Sequence, residues 1–117
     1  MQPRDPRAFL WDAVEAARAI TVFTAGMDVK SYAESALVNS AVERKFEIIG
    51  EALNQLSKCE PAMAARIPDL SKIVAFRNQL IHSYAGIDNY LVWNIVQKSL
   101  PDLLLVVTAL LHELDSV

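Results

Sequence analysis

A chain of 117 residues, 53% hydrophobic and 21% charged, is sized for one domain around one core, and its net charge of −3 excludes a protein that holds long nucleic acid through a broad basic surface. The single Cys59 excludes an intrachain disulfide framework. The charged opening Met1-Gln2-Pro3-Arg4-Asp5, with no apolar run of about 18 residues anywhere, reads as a cytoplasmic protein with no membrane span. Mean hydropathy is +0.23, more apolar surface than one small core needs, so a second copy of the chain is expected to cover part of it.

Only three glycines and five prolines occur, β-branched alternation is absent, and apolar residues recur at helical spacing. The expected fold is therefore all-α, a bundle of four or five helices in which residues 1–117 form a single domain. Asp5 before Pro6 is an N-cap followed by proline at the first helical position. It opens a helix through Phe9, Val14, Ala17, Ile20 and Val22 that stops near Gly26. A long amphipathic helix over residues 31–58 turns Leu37, Ala41, Ile48, Ile49, Ala52, Leu53 and Leu56 inward, opposite Glu43, Lys45 and Gln55, and is the expected spine. Pro61 and Pro68 bracket a brief helical piece, and residues 69–85 form the next helix, which Gly86 ends in a left-handed cap. Asp88 caps the last start; residues 89–99 and 100–115 form either two helices or one bent at Pro101.

The segment Phe76-Arg77-Asn78-Gln79-Leu80-Ile81-His82-Ser83-Tyr84 sets polar groups into an apolar helical stretch. At about 100° per residue, Ile73, Val74, Phe76, Leu80 and Ile81 point in nearly every direction, so little of this helix is expected to face solvent. Arg77, Asn78, Ile81, His82 and Tyr84 share roughly one half of the wheel. These residue types suit phosphodiester cleavage. An imidazole moves a proton near neutral pH, and a guanidinium neutralises a pentacovalent phosphorane. RNA brings its own nucleophile, the 2′-hydroxyl, so the chemistry calls for no metal ion, cofactor or protein nucleophile. One copy supplies only His82, because His112 stands among Leu110, Leu111 and Leu114 in a packing role. Pairing the helix with its copy across a two-fold axis would bring two His82 and two Arg77 to one cleft. An internal hydrogen-bond network that fixes helix packing accounts for the same residues equally well. Trp11, Trp93, Tyr32 and Tyr90 read as core or interface anchors, and Glu43 and Arg44 as a solvated face.

The stretch Arg77-Asn78-Gln79-Leu80-Ile81-His82-Ser83-Tyr84 matches the R-x-x-x-x-H-x-Y motif of HepT-like HEPN proteins, and the chain resembles that family over roughly residues 5–115. Ile48-Ile49-Gly50-Glu51-Ala52-Leu53-Asn54 resembles its long-helix segment. Ile67-Pro68, Gly86-Ile87-Asp88 and Val92-Trp93 through Leu100-Pro101 resemble its flanking positions in the same order. Asp69 departs from the tryptophan the family often carries after the Ile-Pro pair, a change of local packing that leaves the motif intact. The resemblance implies a HEPN-like helical bundle that dimerises through the motif helix. It also implies a metal-independent endoribonuclease toxin of a type VII toxin–antitoxin pair, whose antitoxin is a minimal nucleotidyltransferase of the MntA type. Residue by residue, it makes Arg77 and His82 the catalytic pair and Asn78 a polar support, with Tyr84 the hydroxyl that receives AMP. Glu51, inside the resembling segment, takes a supporting role. The expected partners are an RNA substrate, the antitoxin and a second copy of the chain. The alternative, from another functional class, is a non-catalytic helical binding subunit of a nucleotidyltransferase complex. A plain structural bundle would require Arg77 and His82 to be closed inside one subunit.

Overall fold

A computed structural model describes residues 4–83 and 86–115, which form six helical segments and no strand. The first, α1 (Pro6–Phe23), starts as the sequence predicts: Asp5 accepts the backbone N–H of Arg7 at 2.9 Å and Pro6 occupies the first turn. It buries Leu10, Ala13, Val14, Ala17 and Ile20 along one face.

The expected long helix is divided. A short α2 (Val29–Glu34) ends at Ser35, whose backbone is extended (φ −100, ψ 92), and α3 (Ala36–Cys59) begins directly after it. The cause is local competition for backbone donors. Ser35 accepts the N–H of Val38 at 3.3 Å, and Asp28 and Ser31 form a reciprocal capping box at the start of α2. The break frees α2 to drive Tyr32 fully into the core, where its ring lies 5.4 Å from that of Trp93. Along α3, Ile49, Ala52, Leu53 and Leu56 face inward as the periodicity predicts. Val42, Phe46, Ile49, Leu53 and Leu56 are buried, whereas Leu37, expected inside, is 83% exposed because it falls off that stripe; Ala41 and Ile48 are half-buried.

A single turn, α4 (Pro61–Ala64), precedes α5 (Leu70–Ile81), and α6 runs without interruption over Asn89–Asp115 with Pro101 inside it. Of the two alternatives for the C-terminal region, the continuous helix is the one adopted. By length and composition α6 could cross a membrane, but Val92, Val96, Leu100, Leu103, Val107 and Leu110 are buried in the bundle core, as befits a packed helix of an all-α fold. Four long helices make the bundle. α1 lies against both α3 and α6, and α5 packs on α3. The spine is thus α3, and whatever α5 carries is positioned by it.

Leu53→Ala should lower unfolding free energy by about 2–5 kcal/mol, the usual cost of a core cavity. Leu37→Ala should change it by less than about 0.5 kcal/mol. Urea denaturation of the two variants checks both, and a large loss at Leu37 would contradict the break at Ser35.

Candidate active site

The helix that carries the polar motif starts under unusual local geometry. Asp69 adopts a left-handed backbone (φ 56) and its side chain does not cap the helix; its carbonyl instead accepts the N–H groups of Lys72 and Ile73. From that start the inward residues of α5 are Phe76 and Leu80, with Phe76 edge-on to Phe46 of α3 at 5.3 Å. This phase directs the neighbouring Arg77 onto α3 at Gly50. A methyl group on Gly50 would overlap Cβ of Arg77 and stand 2.7 Å from its Cγ, so only glycine permits the crossing.

At the crossing the polar side chains meet. The Arg77 guanidinium donates to Glu51 through Nη2 and to Asn78 Oδ1 through Nη1 at 2.6 Å. Gln55 donates to the other oxygen of Glu51 at 3.1 Å, one helical turn along α3. Arg77 is 24% exposed and Glu51 46%, so the pair sits at the mouth of a cleft and not in the core. The Arg77 Nε is buried and has no hydrogen-bond partner among the described residues. Such an arginine is oriented by the carboxylate rather than by its own surroundings. Further along α3, Arg44 pairs with Glu47 at 3.1 Å. Glu43 is half-buried rather than solvated, and burial, reinforced by Glu47, pushes its carboxyl above the usual range.

His82 is the C-cap residue of α5; its backbone N–H donates to the Asn78 carbonyl at 3.1 Å and its ring is exposed. The structure therefore gathers Arg77, Asn78 and Glu51, and leaves His82 open one turn beyond Asn78. This corrects the expectation that α5 is covered on nearly all sides. Asn78, Gln79, Ile81 and His82 all face solvent, because α5 packs chiefly on α3 and, among the described residues, leaves these side chains uncovered. A closed internal network would need both Arg77 and His82 inside, and only Arg77 is held within the protomer. Ser83 donates to the Gly86 carbonyl across the end of the motif; Tyr84 lies outside the described residues. Trp93 is half-buried against the core, while Trp11 and Tyr90 are 55% and 62% exposed. His112 lies on the exposed side of the last turn of α6 rather than in the packing. Periodicity places Gln55 on the outer face of the long helix; the signal that points to its role is its i,i+4 spacing from Glu51.

The profile of the family described as "Ribonuclease HepT-like" matches residues 13–110. The chain belongs to the HepT-like ribonuclease family. Among its relatives, "Putative RNase MJ1380" of Methanocaldococcus jannaschii is 37% identical over 101 residues, covering 86% of this chain and 92% of the relative. "Putative RNase MJ1216" of the same organism is 32% identical, with 88% and 84% of the two chains covered. "Probable ribonuclease HepT" of Thermococcus cleftensis is 30% identical, with 86% of this chain and 90% of the relative covered. No solved structure matches this HepT-like chain.

Replacing glycine by alanine inside a helix ordinarily gains about 1 kcal/mol of helix propensity. Gly50→Ala should do the reverse and destabilise the HepT-like bundle by about 1–3 kcal/mol, the cost of overpacking, because α5 must move away from α3. A thermal scan decides the sign; a stabilised variant would mean that the crossing yields freely.

Proposed function

We propose that the protein is a homodimeric, metal-independent endoribonuclease toxin of a type VII toxin–antitoxin pair, neutralised by AMP transfer to Tyr84 from a minimal nucleotidyltransferase. The observation that carries this reading is the pairing, on one short helix, of an oriented guanidinium at Arg77 with an open imidazole at His82. His82 takes the proton of the RNA 2′-hydroxyl, and the freed oxygen attacks the adjacent phosphorus. Arg77, with Glu51 and Asn78 as polar supports, stands against the charge that builds on the phosphorane oxygens. The 5′-oxygen leaves with a proton from the second copy of His82, giving a 2′,3′-cyclic phosphate and a 5′-hydroxyl. Dimerisation supplies that second imidazole. It is supported by the uncovered outer face of α5 and by the exposed Ile81, Tyr90 and Leu91 close to the motif in sequence. RNA is the substrate because only RNA carries the internal nucleophile.

Inhibition follows from charge and bulk. An adenylyl group two residues from His82 adds a phosphate to a site that must accept the phosphate of RNA. One feature favours the second reading, a non-catalytic binding subunit of a nucleotidyltransferase complex: Arg77 is already neutralised by Glu51 and must share its charge with any substrate.

In excess EDTA, the wild-type protein should cleave total RNA to 2′,3′-cyclic phosphate ends. His82→Ala should lose about 100- to 10,000-fold in rate and Arg77→Ala about 100- to 1,000-fold, the usual worth of a general base and of a charge-stabilising donor. RNA binding without cleavage by any of the three would favour the binding subunit. Incubated with the nucleotidyltransferase and ATP, the wild type should gain the mass of one or more AMP units. Tyr84→Phe should gain none and keep its nuclease activity; an unchanged mass gain in that variant would move the modification elsewhere.

A further inference from the structure

A groove of about 640 Å³ lies between the start of α1 and the outer stripe of α3. Glu51 and Gln55 line it, and Glu51 also holds Arg77, so the groove and the motif share that carboxylate. Its charges cancel: Arg4, Arg44 and Lys58 stand against Asp12, Glu47 and Glu51. Such a surface does not draw in a phosphate backbone by field alone. What it offers is a set of hydrogen-bond acceptors over apolar side chains. Asp12 meets Arg4 through Oδ2 at 3.1 Å and Glu47 meets Arg44 through Oε2 at 3.1 Å, and both carboxylate side chains stay partly open to solvent, at 36% and 26%. The Arg4 guanidinium carbon lies over the Phe9 ring, 5.0 Å from its centroid, and places a planar cation at one wall.

These are the elements by which unpaired RNA bases are read. A splayed base stacks on an arginine plane or an aromatic ring and hydrogen-bonds along its edge. Carboxylates accept from the exocyclic amine of cytosine, and a glutamine amide matches adenine. We infer that the α1–α3 groove is the subsite for an unpaired nucleotide beside the scissile phosphate, selective for a base with an exocyclic amino group. That this phosphate is the one cut rests on the ribonuclease reading of the motif. The groove's base preference is a binding property and is measured without turnover. It also gives an acidic protein a way to engage RNA that does not depend on net charge.

The test is fluorescence anisotropy of labelled 2′-O-methyl hexanucleotides of A, C and U, which lack the 2′-hydroxyl nucleophile, against the full-length protein. Cleavage of total RNA is scored alongside. The A and C oligomers should bind about tenfold tighter than U, the discrimination one good bidentate contact supplies. Asp12→Ala/Glu47→Ala should bring all three within about twofold of one another, and Asp12→Asn/Glu47→Gln, which keeps side-chain shape, controls for folding by weakening the preference with no loss of thermal stability. Equal binding of the three oligomers by the wild type, a preference that survives in both variants, or no binding at all would overturn the inference. Cleavage of total RNA together with equal binding would remove the subsite and leave the nuclease reading intact. A base preference without cleavage would do the opposite.

Discussion

The close approach of α5 to α3 at Gly50 is the constraint on which the rest of the site depends. Glycine inside a helix costs about 1 kcal/mol relative to alanine, and α3 carries that cost at the one position where Arg77 of α5 lies against it. With no Cβ in the way, the arginine stem runs across the spine and its head reaches Glu51, the next residue of α3. The buried Nε of Arg77 has no partner among the described residues, so the orientation of the guanidinium is set at its far end, by Glu51 and Asn78. Packing and chemistry are thus coupled through a single contact: moving the helices apart also releases the arginine.

That coupling gives the site two faces of different character. The inner face of α5 is anchored by Phe76 against Phe46, a rigid edge-to-face contact, while the outer face presents Asn78, Ile81 and His82 to solvent. A helix held on one side only is suited to receive something on the other. The proposed two-fold pairing uses that open side to bring a second imidazole to the first, which a protomer with one histidine in its motif cannot provide alone. Holding Arg77 on a carboxylate until substrate arrives keeps a half-buried cation compensated, since an unpaired charge at that depth would be costly.

The acidic balance of the chain is consistent with this arrangement. Of the ion pairs along the outer stripe of α3 and the start of α1, each carboxylate meets a basic residue, so the surface around the site is locally neutral and presents shaped polar edges rather than a field. The base discrimination proposed for this surface rests on the fit of individual bases.

By itself the sequence determined the helical class, the cap at Asp5-Pro6, the presence of a polar motif on one short helix, and family membership, because each of these is written in local spacing and residue type. Tertiary structure decided what local periodicity cannot carry. The break at Ser35 depends on a serine side chain competing for one backbone donor, and it moved Leu37 to the surface while Tyr32 went into the core. Gln55 fell on the polar side of the wheel and joined the site only because Glu51 stood one turn away with a free oxygen. The openness of α5 was hidden for a related reason: its apolar residues point in nearly every direction, and a wheel cannot say which of them has a neighbour. The role of Gly50 was invisible for the same cause, since a close approach belongs to two helices, and the residue that requires it, Arg77, lies far along the chain on the other one.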